Sequence, residues 1–165
     1  MTGKSSTIGR LYALATILAT LGLLGGRASA AEHKPTKEER EVEYRHSLYH
    51  VIAGNFGPIQ AMADGKMPWD VAQAAVRAER VAFLAPMLKE AFPPESNGVA
   101  HTDAKPEIWP QPQQFAAALQ ALIDKSATLA LVAKGGDTAK IKVAANDTAK
   151  TCKDCHDKFR VDDEH

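Results

Sequence analysis

The chain has 165 residues, with 20 Lys and Arg against 20 Asp and Glu and no net charge when its histidines are neutral. That balance argues against a nucleic-acid binder, which needs a basic face. The length suits one domain with a real core, and no internal repeat or long low-complexity segment divides it.

The first thirty residues read as a signal peptide. Lys4 and Arg10 supply a positive start, Leu11 to Leu24 is an apolar run without charge, and Ala28-Ser29-Ala30 is a small-x-small cleavage site. The run is 14 residues long, shorter than the roughly 20 that a membrane span needs. An uncleaved anchor is the alternative. The sequence therefore predicts a signal peptide at 1–30, a mature domain at 31–165, and no membrane span after cleavage. The mature part holds 17 basic and 20 acidic residues, a charge of −3. No cysteine stands directly after the cut, where Ala31 follows Ala30, which argues against a lipid anchor. The expected compartment is the bacterial periplasm.

Four helices follow in order. Pro35 to Asp64 is the first, opened by Thr36 and Glu39 as a capping box. Val42, Arg45, Tyr49, Ile52, Phe56, Ile59 and Ala63 recur in steps of three and four, the stripe of a bundle helix. Gly57-Pro58 predicts a bend or loosening, because proline has no amide hydrogen to donate. After a turn at 63–68, Trp69 to Phe92 is the second helix, with Ala72, Ala75, Val76, Phe83, Leu84, Met87 and Leu88 expected inward. Pro86 predicts a kink or an early stop. The stretch to Pro110 is rich in Pro, Gly and Asn and reads as a long surface connection, with Ile108 and Trp109 packing back. Gln111 to Lys134 is the third helix, with Phe115, Leu119, Leu122, Ser126 and Leu129 on one side, and Gly135-Gly136 stops it.

Asp137 or Thr138 caps the fourth helix, which runs to about Val161. Its stripe is Ile141, Ala145, Thr148, Cys152, Cys155 and Phe159. Cys152-Lys153-Asp154-Cys155-His156 is the attachment signature of covalent c-type haem. Two thiols add across two porphyrin vinyl groups, and the next residue offers an imidazole to the iron. On a helix, positions i, i+3 and i+4 share a face, so all three groups reach one flat cofactor. These are the only cysteines in the chain. A redox dithiol expects a βαβ context, a structural zinc site expects four ligands, and a disulfide here closes an awkwardly tight loop. No segment alternates with the period of a strand. Short loops between neighbouring helices predict an all-α, antiparallel up-down-up-down four-helix bundle with covalently bound haem.

The chain resembles the cytochromes c′ and their low-spin relatives, the class II c-type cytochromes. The resemblance rests on Tyr44-Arg45, Asn55-Phe56-Gly57, Pro68-Trp69-Asp70 with Ala72-Gln73, Lys105-Pro106-Glu107-Ile108-Trp109, and the Cys152–His156 motif followed by Phe159-Arg160. The motif lies near the C-terminus, as in class II. The resemblance implies one haem c with its iron, His156 as the proximal ligand, and Tyr49 over the opposite face. In the low-spin relatives that distal position is an iron-bound methionine. In the c′ branch it is a residue that blocks the site, so Tyr49 implies five-coordinate, high-spin iron. Met62 lies 13 residues past Tyr49, about 20 Å along a continuous helix, and cannot reach the same iron. Met87 is not excluded in this way.

By resemblance Arg45 meets a haem propionate; a salt bridge to a neighbouring carboxylate is its other reading. Arg160 shapes the proximal face, or is a solvated charge favoured by the helix dipole. Phe56 and Phe92 match aromatic positions near the haem, and both fit a plain core equally well. His46 and His50 flank Tyr49 and read as surface histidines, His50 with a chance contact to haem. The expected function is binding of small gases (nitric oxide, carbon monoxide) or single-electron exchange with periplasmic redox partners. A low-spin six-coordinate electron carrier, with Met87 or Tyr49 in the sixth site, is the alternative. A helical bundle using its cysteines as a thiol pair is a third. No acid–base or nucleophile constellation stands out, so no enzymatic turnover is expected. The resemblance also implies a homodimer through the first two helices.

Overall fold

The computed structural model describes residues 34–161. The expected signal segment and its cleavage point lie outside them.

Helix α1 spans Lys37–Ala63. Its capping box is formed: the Thr36 hydroxyl accepts from the Glu39 amide at 3.2 Å, and the Glu39 carboxylate accepts from the Thr36 amide at 2.7 Å. The helix continues through Pro58. The expected bend leaves no break in the helix there, because the residues just beyond it, Ile59, Met62 and Ala63, are 0–3% exposed and held by the core. Gly65, at φ +74°, then turns the chain in a conformation that an L side chain rarely adopts.

Asp70 caps α2, Val71–Leu84, by accepting from the Gln73 amide at 2.9 Å. This helix is shorter than its sequence predicts. Pro86 lacks the amide that would extend it, and the chain tightens into a 3-10 turn at Ala85–Lys89. The buried face is also different. Ala74, Ala78, Val81, Ala85 and Leu88 point inward, while Val76 and Phe83 are 45% and 71% exposed.

Helix α3, Pro112–Lys134, buries the expected stripe of Phe115, Leu119, Leu122, Ser126 and Leu129. Gly136 at φ +73° ends the turn that follows. Asp137 caps α4, Thr138–Phe159, by accepting from the Lys140 amide at 3.2 Å. Among the described residues α3 is long and apolar enough to cross a membrane, and its apolar stripe is the core of this bundle.

Each helix packs on the next, and α1 closes against α4. The result is the expected antiparallel four-helix bundle. Its two ends differ. One end is closed by small side chains, Ala63, Ala74, Ala78, Ala133 and Ala145, around Ile59, Leu129 and Ile141. The other is built from larger groups, including Leu48, Ile52, Leu88, Ile108, Phe115 and Phe159. Helix separation follows side-chain size, so the second end has room for a cavity.

The connection between α2 and α3 is pinned rather than loose. It holds 3-10 turns at Pro94–Ser96 and Pro106–Ile108, with Ser96 fully buried. Ile108 and Trp109 pack back onto the core as expected. An isolated antiparallel bridge joins Ala104 to Arg160: the Lys105 amide donates to the Phe159 carbonyl at 2.9 Å, and the Val161 amide to the Asp103 carbonyl at 2.8 Å. No strand occurs among the described residues.

Candidate haem site

A cavity of about 300 Å³ opens at the large-residue end of the bundle. Arg45, Tyr49 and Ala53 line it from α1 at intervals of four, with His46 and His50 beside them. Cys155, His156, Phe159 and Arg160 line it from the last turn of α4. The pinned connection supplies Thr102, Asp103 and Ala104. Two helices and a strap thus bring residues more than a hundred positions apart to one space.

An aromatic chain forms one wall. Tyr49 meets Phe92 edge-on at 6.3 Å, Phe92 meets Phe115 at 4.6 Å, and Phe115 meets Phe159 at 5.2 Å, all near perpendicular. Tyr49 is half-buried among these rings. Burial, reinforced by Cys155, pushes its phenol well above the ordinary range and keeps it neutral.

Arg45 is 2% exposed. Its Nη1 donates to the Ala91 carbonyl at 3.0 Å and to Ser96 Oγ at 3.1 Å, and its Nη2 to Thr102 Oγ1 at 2.8 Å. The guanidinium also lies 4.7 Å from the Phe92 ring centroid. None of these partners is an anion, and among the described residues Arg45 forms no salt bridge to a carboxylate. Burial lowers its pKa, yet a guanidinium stays charged in proteins. A buried cation with neutral partners is costly until an anion joins it.

Cys152 and Cys155 are free thiols, both half-buried against the aromatic end of the core. Burial raises both, Cys155 to about 11, with Cys152 adding to the shift. Cys155 lines the cavity, and Cys152 lies one turn earlier on the same side. His156 sits on the cavity rim. The Arg160 amide donates to the His156 carbonyl at 3.0 Å, and Arg160 Nη2 lies 3.5 Å from Asp103 Oδ2.

Most of the residues singled out from sequence meet here. Arg45, Tyr49, Phe92, Cys155, His156 and Arg160 line the cavity, and Cys152 flanks it. Phe56 does not line it and packs against both core clusters. Met87 packs on the same core without lining the cavity. The sequence reads His46 as a surface histidine, yet its Nε2 is buried in the structure. Its spacing carried the signal, since 46, 49 and 53 repeat at intervals of three and four. Thr102 and Asp103 carried no such signal, because their positions depend on how the connection folds back.

These walls fit a flat, largely apolar macrocycle with acidic groups at one edge. Rings line its faces, a buried cation with neutral partners waits at one end, and two thiols with an imidazole close the other side.

The chain is similar to known proteins over this whole region. A family model described as Cytochrome C' matches residues 40–160. The cytochrome c' of Rubrivivax gelatinosus is 40% identical over 122 residues, 72% of this chain and 92% of that protein. The solved structure of cytochrome c prime from Shewanella frigidimarina superposes with a TM-score of 0.73 at 36% identity, covering 78% of this chain and 100% of that one. A nitric oxide complex of a variant of cytochrome c prime from Alcaligenes xylosoxidans gives a TM-score of 0.70 at 33% identity, covering 78% and 100%.

Proposed function

The chain belongs to the cytochrome c′ family, and from that premise we propose that it is a periplasmic, high-spin, five-coordinate haem protein that binds nitric oxide or carbon monoxide and exchanges single electrons. Proteins of this family carry covalently attached haem c, so haem c and its iron are the cofactor. The bound iron supplies a redox couple and a gas-binding position; the polypeptide decides access to both.

In this reading Cys152 and Cys155 hold the haem by thioether bonds, and His156 is the iron ligand. Arg45 binds a haem propionate through charge-assisted hydrogen bonds. Its buried guanidinium, with neutral partners only, is the observation that carries the reading most directly. Arg160, steadied by Asp103, borders His156 on the proximal side. Tyr49 covers the distal face, braced by Phe92. A neutral phenol is a weak iron ligand, so Tyr49 guards the sixth position without filling it. Small gases enter by displacing its ring. No enzymatic turnover is part of the reading.

Export through residues 1–30 and a mature domain at 31–165 belong to the same proposal, since c-type haem is attached outside the cytoplasm. The relative solved as a nitric oxide complex supports the gas reading. The deciding experiment is the ferrous spectrum with and without nitric oxide. A broad high-spin spectrum that changes on nitric oxide addition is expected. A sharp, intense low-spin α band in the gas-free ferrous protein would sink the five-coordinate reading in favour of the electron carrier.

A homodimer through α1 and α2 completes the proposal. Val51, Val76 and Phe83, 45–71% exposed, line one shallow groove on the outer side of these two helices. Apolar groups gathered on a surface mark an interface. Phe83→Asp is expected to shift sedimentation from dimer to monomer and leave the haem spectrum unchanged. Identical sedimentation of the two proteins would count against this interface.

A further inference from the structure

His46 has no place in the roles above. Its ring lines the cavity, its Nε2 is shut off from solvent, and no hydrogen-bond partner reaches that atom. Leaving a buried polar nitrogen unpartnered is unfavourable. The position therefore suits a group that the polypeptide does not supply.

The geometry narrows what that group is. His46 precedes Tyr49 by three residues and Arg45 precedes it by four, so they are displaced by about 4.5 and 6 Å toward the start of α1. Both line the cavity, and Tyr49 and Ala53 line it further along the helix. Arg45 brings a positive charge with no anionic partner to that end. The acidic edge of the cofactor belongs beside it. We propose that His46 is a second contact to the haem carboxylates and that its protonation is coupled to reduction of the haem. This inference rests on the haem reading given above.

The charge balance is simple. A one-electron donor reduces the iron, and the haem gains one negative charge. His46 takes up one proton, whose ultimate source is the medium, and the ring then faces the carboxylate. Other titratable groups line the same cavity. From α1 come Arg45, Tyr49 and His50, from the connection Asp103, and from α4 Cys155, His156 and Arg160. The guanidinium groups stay charged, Tyr49 stays neutral, and Asp103 faces Arg160. Cys155 and His156 are taken up in holding the haem, and His50 is exposed to solvent. An imidazole changes charge between pH 5 and 8, and His46 is the one here with a buried, unpartnered nitrogen.

The test is a potentiometric titration of the holoprotein, followed by absorbance from pH 5 to 8. Reduction favours the protonated ring, so the wild-type midpoint potential falls as pH rises. His46→Gln keeps a neutral hydrogen-bonding side chain and loses the slope, while His50→Gln retains it. Equal slopes in the wild type and His46→Gln overturn the proposal. So does a low-spin ferrous spectrum in the wild type that turns high-spin in His46→Gln, because His46 would then bind iron. As a check that needs no variant, the His46 ring resonances titrate at higher pH in the reduced protein than in the oxidised one. Titration at the same pH in both states overturns the coupling. Absence of haem c from the purified wild type removes the underlying haem reading, and this proposal with it.

Discussion

Replacing both Cys152 and Cys155 by alanine is expected to abolish covalent haem entirely. After denaturation, the double variant should show no protein-bound pyridine haemochrome, whereas each single variant retains one thioether and some bound haem. These are the only two thiols in the chain, so nothing else can form the bond. The loss extends to stability. A ligand that binds only the folded state stabilises it by about 2.7 kcal/mol at a hundredfold excess over its dissociation constant, and tethering keeps the haem at its site permanently. Without it, Arg45 is a buried cation whose protein partners are all neutral. The double variant should therefore melt well below the holoprotein when followed by helical circular dichroism. Haem that stays on the denatured double variant would rule out the thioether assignment.

Tyr49→Ala is expected to raise the carbon monoxide affinity of the ferrous protein by about 10–100-fold. The ring is half-buried and braced by Phe92, and in the proposed reading a gas bound beneath it pushes it aside. Moving a packed aromatic side chain out of contact costs on the order of 1.5–3 kcal/mol, and each 1.4 kcal/mol is about tenfold in affinity. Tyr49→Phe keeps the ring and should bind carbon monoxide much as the wild type does, which separates the block from the hydroxyl. Equilibrium titration with carbon monoxide reads both variants. An affinity unchanged in Tyr49→Ala would mean that the ring does not cover the sixth position.

The bundle itself was legible because its signals are local. The stripe of α3 and the capping residues Thr36, Asp70 and Asp137 act within one or two helical turns, and the structure uses them. The stripe of α1 holds at most of its positions. Val42, Arg45, Ile52, Ile59 and Ala63 are buried, but Leu48 and Asn55 join them while Tyr49 and Phe56 sit at the edge. One helix face there serves two surfaces, the bundle core and the cavity, and a single stripe cannot report both. In α2 the larger apolar residues drew attention to the wrong face. The core at that end is closed by alanines, and Val76 and Phe83 point outward.

The haem motif needed no tertiary information, since Cys152, Cys155 and His156 are neighbours on one turn of helix. By itself the sequence determined the four helices, the covalent attachment chemistry and the class to which both point. Only the folded chain decided what surrounds the cavity. Thr102 and Asp103 reach the cavity because the bridge between Ala104 and Arg160 folds the connection back across it. Arg45 is held by Ala91, Ser96 and Thr102, groups 46 to 57 residues away. His46 turned from a surface residue into a buried nitrogen with no partner. The physical reason is range. Periodicity and capping express forces between residues a few positions apart, whereas burial and hydrogen-bond partnership at a site are set by segments that meet only after the chain has folded.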